Sequence, residues 1–279
     1  MSGWHVSARR TAQRLGLDPR YLRRLRWITK ARGVRSVGAP LLANARFILS
    51  APEPHNYTYE LANRPALVDW SASVAGVAPA EMQLLADAVD ADDELRRRLR
   101  AATRRRWWWT KREPPFGRRV AWYLLVRVLK PALVVETGVH DGLGSLLLLR
   151  ALELNAAEGS AGRLVSFDIN PRAGWLVGAD ERWELRIEPA SAGLAGVLAA
   201  SAGVGLFIHD SLHTYENEHL ELSTAERHLA AGGVLLTDNA HATSALRDIC
   251  EARGLTFSEF REAPREHFYP GGAMAAGRR

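Results

Sequence analysis

After Pro115 the sequence alternates short apolar runs with amphipathic segments, and that alternation restricts the chain to a largely parallel sheet with crossover helices. Strands are predicted over 132–139, 163–168, 183–188, 205–210 and 233–238. Helices are predicted over 120–129, 143–155, 191–200, 214–229 and 243–253. A sixth strand over 255–262 and a seventh beginning after His267, past Pro270-Gly-Gly272, complete the sheet. The expected fold class is α/β, a seven-stranded sheet preceded by an N-terminal helical region.

Ahead of Pro114-Pro115 the texture is different. Residues 12–28 place leucines and arginines at helical spacing. Pro79 precedes a helix carrying Met82, Leu85, Ala86 and Val89 on one face, and Asp92-Asp93 opens another. The expected division is a helical region over 1–113 and a catalytic domain over 114–279. The helical region would serve as a lid, a substrate-recognition element or a homo-oligomer contact.

With 47% hydrophobic residues among 279, the chain can bury a sizeable core. No apolar run approaches the roughly 20 residues that span a bilayer. One cysteine, Cys250, excludes an internal disulfide framework, and a cytoplasmic setting is expected. The net charge is +6, and it is uneven: between Met1 and Arg35 nine arginines and one lysine face a single acid, Asp18. A second cluster runs through Arg96, Arg97, Arg98, Arg100, Arg104, Arg105 and Arg106, just ahead of Trp107-Trp108-Trp109. Two readings stand: an anionic partner, or solvated helix faces with the tryptophans docked on a neighbouring surface. The second is favoured, so nucleic acid is not the expected partner.

Val134-Val135-Glu136 ends a buried strand, and Gly138, Gly142 and Gly144 shape the turn into the next helix, where Ser145 lies in the first turn. Glycines there admit close backbone approach, and free N–H groups face a ligand. Such turns at strand carboxyl ends are where open α/β sheets bind ligands. The spacing G-x-x-x-G-x-G differs from the G-x-G-x-x-G of nicotinamide enzymes. Asp168 ends the second strand, and a carboxylate there offers acceptors for two ribose hydroxyls. Asp210 and Asp238 end the fourth and fifth strands and would face the same crevice; with Asn239 they form an oxygen-only set suited to Mg²⁺ or Ca²⁺. A turn cap at Asp238-Asn239 is the plainer alternative.

Glu136-x-Gly138-x-x-x-Gly142-x-x-Ser145 resembles the first motif of class I S-adenosylmethionine (SAM)-dependent methyltransferases. The resemblance covers about residues 117–262 and implies a Rossmann-like methyltransferase sheet. It implies that Glu136, Gly138, Gly142, Gly144 and Ser145 hold the methionine part of SAM, Asp168 the ribose, and Ser191 the region near the adenine. Asp210, which could also hold SAM, followed by Asp238-Asn239 resembles the metal triad of catechol and caffeoyl-CoA O-methyltransferases. His213 stands where those enzymes carry a lysine base, and a histidine can accept a proton near neutral pH. Asp210-Ser-Leu-His-Thr-Tyr-Glu216 is also similar to a segment of bacterial small-molecule O-methyltransferases. His209, His241, Tyr215 and Glu216 flank the crevice as weaker candidates, and Arg118, Arg119 or Tyr123 could reach the cofactor rim.

The expected function is therefore SAM-dependent methylation of a hydroxyl on a small metabolite, such as a sugar or secondary metabolite, with a divalent metal assisting. An RNA methyltransferase docking through the basic N-terminal region and a non-catalytic SAM-binding protein are the alternatives.

Overall fold

The computed structural model describes residues 59–104, 115–265 and 271–279. The basic segment at the N-terminus, Arg105, Arg106 and the tryptophan triplet lie outside the described residues. The described residues belong to one compact unit.

Three helices come first. α1 (Arg64–Ala75) starts on Pro65, whose missing N–H costs nothing in a first turn, and stops at Gly76 in the left-handed conformation. α2 (Pro79–Asp90) buries Met82, Ala86 and Val89. α3 (Asp93–Thr103) is capped by Asp92, whose carboxylate accepts from the Leu95 amide at 2.8 Å. A 3₁₀ turn at Gly117–Arg119 leads into α4 (Val120–Leu129), buried over most of its length.

The sheet follows: β1 (Leu133–Thr137), α5 (Leu143–Ala157), β2 (Arg163–Asp168), β3 (Trp183–Ile187), α6 (Ala190–Ala199), β4 (Val204–His209), α7 (Tyr215–Glu226), β5 (Leu229–Thr237), α8 (Ala245–Arg253), β6 (Thr256–Arg261) and β7 (Ala273–Arg278). The strand order is β3-β2-β1-β4-β5-β7-β6. The first five strands in that order are parallel, and β7 is antiparallel to both of its neighbours. This is the Rossmann-like seven-stranded methyltransferase sheet expected from the sequence.

Period-two alternation sends side chains to opposite faces. Val135, Val165, Phe167, Phe207 and Leu235 pack with Leu194, Leu222, Leu246 and Ile249 from α6, α7 and α8. The other face is covered by α4 and α5, and α1 and α2 pack on α4. Arg150 on α5 bonds Asp92, Arg98 bonds Glu153, and the Arg278 guanidinium donates to the Val74 carbonyl. Residues 59–104 fall in one contact unit with the sheet. Among the described residues no helix is long and apolar enough to cross a membrane.

Candidate active site

The strand carboxyl ends converge on one edge of the sheet, and one end of that edge is built by β1 and β2. Gly138 has φ +84°, and a Cβ there would lie 2.1 Å from the Asp210 carbonyl oxygen. Only glycine lets the loop after β1 lie against the end of β4. Gly142, with φ +88°, is the N-cap of α5. Gly144 serves helix packing instead. An added Cβ would fall 2.2 Å from the Trp122 ring, so its absence brings α5 onto α4.

Ser145 and Ser166 both donate to Glu136 Oε2, at 2.6 and 2.8 Å, and Trp183 Nε1 donates to Ser166 at 3.0 Å. Burial pushes the Glu136 carboxyl up to about 7, against the downward pull of the two serine hydroxyls. Asp168 Oδ2 accepts from the Val139 and His140 amides, both at 2.9 Å, and Oδ1 from the Asn170 amide at 2.7 Å. The acid therefore shapes the glycine turn, with lone pairs left on both oxygens. Ser191 sits exposed in the first turn of α6. Ile169, directly after Asp168 and 75% exposed, is an apolar surface at this edge that no sequence motif marks.

The other end is built by β4, β5 and the 3₁₀ turn. His213 Nε2 lies 3.6 Å from Asp210 Oδ1, and Arg119 Nη2 lies 3.5 Å from Asp210 Oδ2. The Arg119 guanidinium also covers the Trp122 ring at 5.4 Å. Burial would depress the His213 imidazole, but the Asp210 hydrogen bond and charge outweigh it, and the net shift is upward. Asp210 itself is pushed up by burial and by the Asp238 charge, against the pull of His213 and Arg119.

Beneath these groups lies a buried polar seam. His209 is buried, and its Nδ1 meets Glu221 Oε2 at 2.7 Å. Glu221 also accepts from Thr137, Ser211 and Asn217. Glu218 is held between the Thr237 and Thr243 hydroxyls, at 2.6 and 2.8 Å. His209 stands edge-on to His213, with ring centroids 5.4 Å apart. Tyr215 and Glu216 open α7, as the sequence suggested, and the Tyr215 hydroxyl bonds Asp248 at 2.9 Å. His241 Nδ1 accepts from the Ala273 amide at 3.1 Å.

Asp210, Asp238 and Asn239 come together at this edge, but their oxygens do not fit a divalent ion. Asp238 is 1% exposed, and both of its carboxylate oxygens accept from Arg118, Oδ1 from Nε and Oδ2 from Nη2 at 2.7 Å. Arg118 Nη2 also donates to Asn239 Oδ1 at 3.0 Å, and Nη1 donates to Glu262 and to the Tyr59 hydroxyl. Mg²⁺ and Ca²⁺ need several oxygens within about 2.0–2.6 Å of the ion. Here a guanidinium holds that position. Burial works against the Asp238 charge, yet Arg118 holds its carboxyl far below the ordinary range. The sequence offered Arg118 only as a rim residue and did not single out Glu262. Asp238 and Glu262 are separated from Arg118 by 120 and 144 positions, so no local pattern could join them.

Residues 135–240 match the family model of a methyltransferase domain. No curated protein matches the chain. Among solved structures, the chain is similar to the O-methyltransferase TomG from Streptomyces achromogenes, in complex with SAM: 16% identity over 67% of this chain and 90% of that one, with a TM-score of 0.49. It is similar to an O-methyltransferase from Bacillus cereus in complex with SAH: 15% identity, 57% and 79% coverage, TM-score 0.48. A methyltransferase from Geobacter sulfurreducens matches at 19% identity, with 71% and 97% coverage and a TM-score of 0.46. The glycine turn and the parallel strand ends at Glu136, Asp168 and Asp210 fall within or beside residues 135–240, the stretch that matches the methyltransferase-domain model.

Proposed function

From that domain as premise, we propose that the protein transfers the SAM methyl group to a hydroxyl of a small metabolite, with His213 as proton acceptor. The sulfonium methyl carbon is already electrophilic, so the protein's work is to align the hydroxyl and take its proton. The observation that carries the reading is the His213–Asp210 pair, 3.6 Å apart at the end of β4, where the Gly138 turn lies against the same strand end. An imidazole that gains a proton at Nε2 beside a carboxylate is stabilised as imidazolium.

Glu136 is our candidate for the methionine ammonium, Asp168 for the ribose hydroxyls, and Ile169 for the apolar face of the adenine. A sugar or another hydroxylated secondary metabolite fits a crevice lined by imidazole, carboxylate and amide. A buried single cysteine, Cys250, is compatible with a cytoplasmic setting.

An RNA acceptor is the second reading. Against it, three arginines of the cluster make contacts within the fold: Arg97 and Arg98 pair with Glu94, Arg98 also with Glu153, and Arg96 with the Asp90 carbonyl.

The test is calorimetry with SAM, followed by transfer of labelled methyl to a panel of hydroxylated metabolites and to RNA. Micromolar SAM binding and a labelled small-molecule ether are expected. No heat at millimolar SAM, or label found only in RNA, would sink the reading.

A further inference from the structure

We propose that Arg118 is the resident cation of this crevice: its guanidinium takes the place a divalent ion would hold at Asp238 and Asn239, making methyl transfer metal-independent. This rests on the methyltransferase reading for the reaction, but the cation site can be tested without turnover.

The 3₁₀ turn sends its two arginines in different directions. Arg118 goes inward to Asp238 and Glu262, and Arg119 lies against Asp210. Three carboxylates thus meet two guanidiniums in the floor of the crevice. A planar guanidinium matches a carboxylate through two parallel donors, which a compact metal ion cannot imitate. Arg118 is 2% exposed, and its three nitrogens reach Asp238, Asn239, Glu262 and Tyr59. A divalent ion would enter only by displacing this cation from Asp238 and Asn239, leaving a buried guanidinium with Nε and Nη2 unsatisfied, a disfavoured state.

The same guanidinium acts on His213 through one intermediary. Arg118 Nη2 donates to Asn239 Oδ1, which leaves the amide nitrogen as the donor toward His213 Nε2 at 2.8 Å. A neutral imidazole that accepts at Nε2 carries its proton on Nδ1. Arg118 is therefore a positioning residue: it sets the tautomer in which the Nε2 lone pair accepts from Asn239, and that lone pair meets an acceptor hydroxyl when the Asn239 hydrogen bond is given up. In metal-dependent chemistry the ion orients and acidifies the acceptor hydroxyl. Here proton removal rests on His213 and Asp210, held in place by a fixed organic cation.

The experiment titrates Mn²⁺ into the full chain, with SAH present, and follows free Mn²⁺ by electron paramagnetic resonance. The native protein is expected to bind no stoichiometric Mn²⁺ at Asp238. One equivalent bound in the micromolar range and lost on Asp238→Asn would overturn the proposal, whether or not an acceptor is known. Arg118→Met, which frees the oxygens of Asp238, Asn239 and Glu262, is expected to acquire Mn²⁺ binding. Where that variant does not fold, Arg118→Lys keeps the charge and loses the fork. Its kcat is expected to fall about 10- to 100-fold with KM for SAM unchanged, and the His213 ¹⁵N signals should lose the Nδ1–H signature. Native ¹⁵N signals in Arg118→Lys would overturn the positioning role. With an acceptor in hand, full native activity in excess chelator supports the proposal, and loss of activity restored by Mg²⁺ refutes it.

Discussion

The two ends of the crevice hold their acids by different means. At the β1–β2 end, Glu136 and Asp168 accept, among the described residues, from neutral donors: two serine hydroxyls and three backbone amides. At the β4–β5 end, Asp238 and Asp210 meet guanidinium and imidazole. A carboxylate held by neutral donors keeps its charge available to a cationic ligand, and SAM brings both an ammonium and a sulfonium. A carboxylate whose charge is already matched by a guanidinium attracts an incoming cation far less. On the proposed function, recognition of a positive group falls to one end and proton handling to the other.

The largest effect should come from breaking the charged end. Arg118→Met leaves Asp238 and Glu262 buried without a counter-charge, and about 3–5 kcal/mol of stability should disappear in chemical denaturation. A loss near zero would mean that the guanidinium does not hold this end together. Next, His213→Ala should lower kcat about 10²-fold, the lower range for a general base, while SAM affinity by calorimetry stays constant. A weakened SAM affinity would erase the division between the two ends.

The neutral end responds to pH in its own way. The raised Glu136 carboxyl ionises near 7, and the ionised form is the one that attracts an ammonium. SAM affinity should therefore be full above that pH and fall below it, by up to about tenfold per pH unit. Glu136→Gln should flatten the profile; an unchanged profile would move the ammonium site elsewhere. The smallest effect is a displaced midpoint. The His213 imidazole is raised by Asp210, so its neutral, proton-accepting form grows in as pH climbs through a value above the ordinary 6.5. The rising limb of kcat against pH should lie there and move down in Asp210→Asn. A midpoint that stays put would remove Asp210 as the partner.

The fold beyond Pro115 was legible because hydrophobic periodicity is local: β2 occupies 163–168 as predicted, and the neighbouring elements shift by only a few residues. β5 was expected from Gly233 but starts at Leu229. Ala230-Ala-Gly-Gly233 reads as a turn; in the sheet, the pairing with β4 shifts register between Val204 and Leu206, and that irregularity absorbs it. β7 reads Ala-Met-Ala-Ala-Gly-Arg, with no β-branched residue. Small side chains suit it, since a Cβ on Gly277 would lie 2.5 Å from the Cys250 sulfur of α8. In the site, strand-end acids and glycines were visible because each sits in a short motif. The Arg118 hub was not legible for the opposite reason. Whether Asp238 faces an ion or an arginine is decided by a side chain far away in sequence.

The position of β7 bears on how the molecule comes to exist at all. β6 touches the sheet only through β7, which follows it in the chain and lies between it and β5. During synthesis β6 must wait unpaired until β7 has emerged and slid into place. Glu262, at the end of β6, waits with it, so the arginine hub closes only when the sheet does. A ribosome-bound chain that stops short of Ala273 would hold the glycine turn and most of the parallel strands, yet lack the finished chemistry at their far edge.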